Sequence, residues 1–218
     1  MKTLLLITLL FAALMSYAQT APFQNEIDQF KKEDSAHFPP KGAILFVGSS
    51  SFRMWSDIQN YFPGYSIINR GFGGSALPDV IRFAPDIIFP YGPKQIVIYC
   101  GDNDLAADSS LTGKDVFNRF KILYEMIRKN LGTEVNVLFV SIKPSPSRKN
   151  LLPKMESANA LVKRYIAKQK NASYADVFHA MLDANGNMQP ELYKEDMLHM
   201  KPDGYAIWKK VIQPYLLK

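Results

Sequence analysis

Five short runs of apolar and β-branched residues recur along the chain: AILFVG from Ala43, YSIIN from Tyr65, QIVIYCG from Gln95, VNVLFVSI from Val135 and SYADVF from Ser173. Four of them are dense enough to be covered on both faces, as parallel strands are. Helical patterns lie between them. The clearest spans 112–131, where a Thr112-x-x-Asp115 capping box precedes Val116, Phe120, Leu123, Ile127 and Leu131 at helical spacing. A second helix is expected over 154–168. After Pro202, the residues Tyr205, Trp208, Val211 or Ile212, and Tyr215 make a last apolar face. Strands alternating with helices predict an α/β fold, a three-layer α/β/α sandwich with a five-stranded parallel sheet. At 218 residues and 47% hydrophobic content, the chain has room for one well-packed domain. It shows no internal repeat of the kind that builds solenoids.

The amino end reads differently. Lys2, an apolar run from Leu4 to Met15 and the small residues Ser16 and Ala18 form a secretory leader expected to be cut after Ala18. The run is shorter than a bilayer-spanning helix, so no stable membrane anchor is expected, and no cysteine near the cut suggests a lipid anchor. The division is then a signal peptide at 1–18, an N-terminal helical segment at 19–41 and the main domain at 42–218. In the middle part, Pro22 at a tolerated first helical position and Phe23, Ile27 and Phe30 on one side predict a short amphipathic helix. Cys100 is the single cysteine. It sits in a predicted strand and excludes an intramolecular disulfide. The formal charge of +6 is spread along the chain without a basic stripe, so no nucleic-acid partner is expected.

A doubly wound sheet collects function at the carboxyl ends of its strands, and there the sequence is polar or glycine-rich. GSSS follows the first run, NRGFGGS the second and GDND the third, while EDMLHM lies beyond the fifth. Acyl transfer needs a nucleophile, a base, a group that holds the base, and donors for the developing oxyanion. His199 is the favoured base, because imidazole takes up and returns a proton near neutrality. His37 and His179 are read as surface or packing residues. Asp196, three residues before His199, can reach the near ring nitrogen across a turn or one helical pitch. The same two residues could equally be an exposed pair ahead of a helix, and Glu195 is the substitute acid. Asn103 offers an amide donor, and Gly73 and Gly74 offer unobstructed backbone N–H groups. These residues could also serve only as a loop cap and a tight turn. Asp102 and Asp104 are expected to order their loop, since DNDLAADSS lacks the ligand and glycine positions of a calcium loop.

In this order, the four blocks resemble the SGNH hydrolases, also called the GDSL esterase/lipase family, over 42–218. The resemblance implies a flavodoxin-like SGNH hydrolase fold. It places the nucleophile at Ser50, the orienting acid at Asp196 and the base at His199. The oxyanion hole falls to Ser50, Gly74 and Asn103, and neither a metal nor a cofactor is required. One departure is that Ser49 stands where the family usually has an acid. Arg53 and Trp55 are similar to a branch in which Arg and Trp lie near the nucleophile. The implied activity is secreted or periplasmic hydrolysis of short acyl esters, with acetyl groups on a small molecule or glycan expected first. Lysophospholipids or acetylated phospholipids are the alternative substrates, and a non-catalytic glycan- or lipid-binding module is the alternative function. A dinucleotide site at GFGGSA is disfavoured because no acidic residue closes the next strand and Pro78 interrupts the helix start.

Overall fold

The computed structural model describes residues 21–218, so the leader and its expected cleavage point lie outside the described residues. The apolar runs form β1 (Ile44–Gly48), β2 (Ile67–Gly71), β3 (Gln95–Tyr99), β4 (Asn136–Val140) and β5 (Ala172–Ala175). All pair in parallel, in the order β2-β1-β3-β4-β5. The central strands β1 and β3 are buried at every position, whereas the edge strands β2 and β5 are partly exposed. The order of strand addition reverses at β1, with β2 on one side of it and β3, β4 and β5 added on the other. The crevice between the loops after β1, β2 and β3 is therefore the topological switch point where such sheets bind ligands.

Alternate residues of each strand feed two separate cores, as the period of two requires. Leu45, Val47, Ile96, Ile98, Val137 and Phe139 face one side. They are covered there by α1 (Gln24–Ala36), α4 (Leu77–Ile87), α6 (Gly113–Leu131) and α7 (Leu152–Ile166). Ile44, Phe46, Val97, Tyr99, Leu138 and Val140 face the other side. The remaining helices are α2 (Ser50–Arg53), α3 (Ile58–Tyr61), α5 (Asp102–Ala107), α8 (Val177–Ala180) and α9 (Pro202–Ile212). Trp55, Phe62 and Trp208 fill the second core, supported by α2, α3, α8 and α9.

The capping box at the start of α6 forms as the sequence predicts. Thr112 Oγ1 accepts from the Asp115 N–H at 3.3 Å, and Asp115 Oδ2 accepts from the Thr112 N–H at 2.8 Å. Four local expectations need correction. The helix expected at 154–168 starts at Leu152, because Pro153 is tolerated in a first turn. Pro22 precedes α1 instead of opening it, since Phe23 takes a left-handed φ of 67° and Gln24 starts the helix. SYADVF is a strand only through Ala175, because the Asp176 side chain caps the His179 N–H and turns the chain into α8. At the carboxyl end, Ile212 is buried, whereas Tyr215 lies in the 3-10 turn Gln213–Tyr215 and stays exposed.

The helix α1 is sewn to the sheet by polar contacts. Arg70 at the end of β2 donates to Asp34 at 2.5 Å and to the Tyr91 hydroxyl at 2.7 Å, and that hydroxyl donates to Asp34 at 2.6 Å. Burial and the Asp34 hydrogen bond, opposed by Arg70, push the Tyr91 hydroxyl up to about 12. Nearer the strand ends, Glu26 accepts from the Gly73 N–H at 3.0 Å. Gly73 has φ 38°, and the Phe23 ring occupies the space that a Cβ would need.

Candidate active site

Gly48 makes the approach to Ser50 possible. Its φ is 141°, and a Cβ there would lie 1.9 Å from the Tyr99 carbonyl oxygen, so only glycine lets β1 turn this closely against β3. The chain then enters α2 with Ser50 as its first residue. Ser50 is largely buried, with 9% of its surface exposed. Ser49 and Ser51 are buried too.

The far side of the site comes from the turn before α9. Asp196 Oδ1 accepts from the Leu198 and His199 N–H groups, each at 2.9 Å, and Oδ2 lies 2.5 Å from His199 Nδ1. Burial opposes ionisation of Asp196, but these three hydrogen bonds outweigh it and hold the carboxyl down at about 2. An ionised carboxylate only accepts, so Nδ1 must carry the hydrogen and Nε2 must present its lone pair. Ser50 Oγ lies 3.0 Å from Nε2 and donates to it. The sequence pair is thus a turn that aims the imidazole at the serine. Glu195, the substitute acid, is exposed and takes no part.

Three donors are candidates for the developing oxyanion: the Ser50 N–H, the Gly74 N–H and the Asn103 amide. Among the described residues no acceptor takes the Ser50 or Gly74 N–H. A Cβ on Gly74 would lie 3.8 Å from Asn103 Nδ2, so the glycine loop and the amide are neighbours. Asn103 Nδ2 donates to the Ser75 carbonyl at 3.0 Å, which leaves its second hydrogen unused. Asn103 Oδ1 accepts from Arg148 Nη2 at 2.8 Å. Because guanidinium only donates, that contact fixes which end of the amide is oxygen.

Several residues that the sequence singled out take structural roles. Asp104 accepts from Arg119 at 2.7 Å and from the Leu77 N–H at 3.0 Å; burial raises its carboxyl, with these bonds pulling the other way. Asp102 pairs with Arg148 at 3.2 Å. No group of three or more His, Cys, Asp or Glu among the described residues could hold a metal ion. Trp55 is fully buried against Tyr205 and Phe62, so packing is its role, and Arg53 is half exposed beside Glu26 at 3.8 Å. Cys100 is buried, and burial pushes its thiol well up. Ser49, in the place of the usual family acid, leaves its buried Oγ without a partner.

The spacing that pointed to His199 is not unique to it. Asp176 stands three residues before His179 and accepts from its ring at 2.9 Å, yet that imidazole is largely exposed and faces no serine. Reading His179 as a surface residue is therefore correct in outcome, although its sequence neighbourhood does not distinguish it. What the sequence missed at the site is Glu26 on Gly73 and Arg148 on Asn103, separated by 47 and 45 residues, where no local pattern connects them.

A serine, an imidazole and an ionised carboxylate joined by hydrogen bonds at the carboxyl end of a doubly wound sheet form the triad arrangement of a serine hydrolase. The profile of the GDSL-like Lipase/Acylhydrolase family matches residues 45–207. The chain belongs to that family of acylhydrolases. No curated protein matches. Solved structures are similar in fold throughout. A Streptococcus pneumoniae protein provisionally named a platelet activating factor is 19% identical, with a TM-score of 0.76 over 98% of this chain and 99% of its own. A GDSL-like lipase from Bacteroides thetaiotaomicron is 20% identical, at 0.73 over 86% and 95%. An acetyl-xylooligosaccharide esterase from Geobacillus stearothermophilus, solved as a mutant, is 13% identical, at 0.63 over 82% and 96%. Among the described residues, no helix is long and apolar enough to cross a membrane.

Proposed function

We propose that this protein removes short acyl groups, acetyl first among them, from carbohydrate esters, with Ser50 as nucleophile, His199 as base and Asp196 as orienting acid. The observation that carries the reading is the unbroken chain from Asp196 through His199 to Ser50 Oγ at 2.5 and 3.0 Å. Ser50 Oγ attacks the ester carbonyl carbon as His199 Nε2 takes its proton. The oxyanion is held by the Ser50 and Gly74 N–H groups and by the unused hydrogen of Asn103 Nδ2. The tetrahedral species collapses, the C–O bond to the leaving alcohol breaks, and His199 returns the proton to that oxygen. Water, deprotonated by the same imidazole, then attacks the acyl-serine, the C–O bond to Ser50 breaks, His199 returns the proton to Oγ, and the carboxylic acid leaves.

Two observations support the choice of substrate. A cavity of about 560 Å³ against α1, lined by Asn25, Glu26, Gln29, Arg53 and Asn69 with the Phe30 ring and by none of Ser50, Asp196 or His199, is a wall suited to the hydroxyl groups of a sugar away from its ester. The catalytic mutants of the Geobacillus acetylxylan esterase replace a serine, an aspartate and a histidine, the last two three residues apart, the spacing of Asp196 and His199. The leader at 1–18 would send the enzyme out of the cytoplasm.

The test is hydrolysis of p-nitrophenyl esters of increasing chain length and of acetylated xylooligosaccharides, by wild type and Ser50→Ala. Fastest turnover of acetyl substrates, lost in the variant, is expected. A preference for long chains would move the substrate to lipids, and equal background rates in both proteins would leave a binding module.

A further inference from the structure

The segment 143–148, KPSPSR, lies in the connection between β4 and α7. Its first half is buried and the segment touches both halves of the site. Lys143 and Ser145 are buried. Lys143 Nζ donates to the Tyr99 hydroxyl at 3.3 Å and lies 3.8 Å from Asp102 Oδ2. The Ser147 N–H donates to the carbonyl of Met197 at 3.1 Å, inside the turn that holds Asp196 and His199. The Tyr193 hydroxyl, just before that turn, donates to the Pro144 carbonyl. Arg148 closes the arrangement. Its Nη2 donates to Asn103 Oδ1 at 2.8 Å, and its Nη1 sits 3.2 Å from Asp102 Oδ2.

Two physical consequences meet at Asn103. Arg148 has only donors to offer, so it allows one orientation of the amide, with Nδ2 toward Gly74 and the oxyanion position. In the opposite orientation a carbonyl oxygen would face the developing negative charge. The guanidinium, its side chain only 15% exposed, is also a fixed positive charge against the amide oxygen. It draws electron density from Nδ2 and makes the N–H a stronger donor where charge appears only in the transition state. Asp102, held by Lys143 from the other side, sets the guanidinium in place.

We infer that Arg148 is the positioning residue of the oxyanion hole: it orients and polarises the Asn103 amide, and segment 143–148 couples that amide to the Asp196–His199 turn. The inference rests on the acylhydrolase reading above. It adds a residue outside the triad and hole whose effect passes through Asn103.

The experiment is a double-mutant cycle on p-nitrophenyl acetate hydrolysis with wild type, Arg148→Met, Asn103→Ala and the double variant, each checked for folding by circular dichroism. Arg148→Met is expected to lower kcat by about 10- to 100-fold, below the loss of a whole oxyanion donor, with KM little changed. In the Asn103→Ala background the same substitution is expected to change kcat by no more than about 2-fold, because the group it acts through is gone. An equal loss in both backgrounds, a loss confined to KM, or no loss would overturn the inference while leaving the esterase in place. Background turnover by wild type and Ser50→Ala alike would end the acylhydrolase reading, and this inference with it. If Arg148→Met does not fold, Arg148→Lys carries the same cycle. It keeps the charge beside Asp102 without the fork, and is expected to lose kcat in the same Asn103-dependent way.

Discussion

Asp196–His199 and Asp176–His179 are built to the same local plan. In each, a carboxylate three residues upstream accepts from the histidine's main-chain N–H and from its Nδ1. One imidazole then reaches Ser50 Oγ at 3.0 Å, while the other lies largely exposed beside Phe178, with Lys163 on its Asp176. The difference is not in the motif but in what the sheet brings opposite it. The turn before α9 folds back over the end of β1, whereas α8 leaves the end of β5 at the sheet's edge. Spacing therefore orients an imidazole, and topology decides whether it has a substrate-facing partner.

The strongest way to break this comparison is to remove the partner itself. Ser50→Ala is expected to lower kcat by about 10⁶-fold, as in serine hydrolases whose nucleophile is deleted, and single-turnover assays should show no acyl-enzyme. Next come the two histidines. His199→Ala should lose activity on the scale of the serine variant, about 10⁶-fold, while His179→Ala should stay within about 2-fold of wild type because its ring touches nothing at the site. A comparable loss at both histidines would mean that the exposed pair takes part in turnover.

The carboxylates sharpen the contrast further. Asp196→Asn keeps the shape but permits the wrong tautomer, and is expected to lower kcat by about 10⁴-fold. Asp176→Ala should leave kcat unchanged and remove a helix cap, at a cost of about 1 kcal/mol. In thermal unfolding, a loss of that size in a chain of this length lowers Tm by about 2–4 °C.

The smallest effect is one of pH. Asp196 is held at about 2, below the ordinary aspartate value of about 3.9. Its folded-state value is depressed, so its contribution to stability is complete above the ordinary value and is lost as the pH falls toward 2. The urea midpoint of wild type should therefore converge on that of Asp196→Asn between about pH 4 and pH 2. Above that range the Asp196 carboxylate stays ionised and takes up no proton, so the acid limb of the kcat/KM profile should fit a single proton. A limb requiring two protons would show that the short Asp196–His199 hydrogen bond does not hold the acid ionised.

Much of this site could be read from the chain because its parts sit where strands end. Ser50, Gly74 and Asn103 each follow an apolar run, and the capping box at Thr112 and Asp115 is entirely local. Their places depend on neighbours a few residues away, which sequence displays directly, while the choice of Ser50 among three serines and of Gly74 in its pair rests on the likeness to the SGNH blocks. The supports of the site depend on contacts across the fold. Glu26 on Gly73 and Arg148 on Asn103 join residues more than forty positions apart, and neither glutamate nor arginine stands out by composition. The same limit explains β5. SYADVF has the composition of a strand throughout, but the Asp176 cap ends it, and only the backbone geometry shows that the side chain turns inward to the His179 N–H.

The helix α1 lies before the stretch that defines the family, 45–207, yet Glu26 and Phe23 press on Gly73, the neighbour of Gly74, and Asp34 grips the strand leading to it. A shortened version drawn to the family boundary would keep every residue of the triad and lose the wall behind it, with Arg70 left half-buried and without its carboxylate. The working unit of this enzyme is thus longer than the pattern by which its kind is recognised, and its ancestry and its competence have different borders.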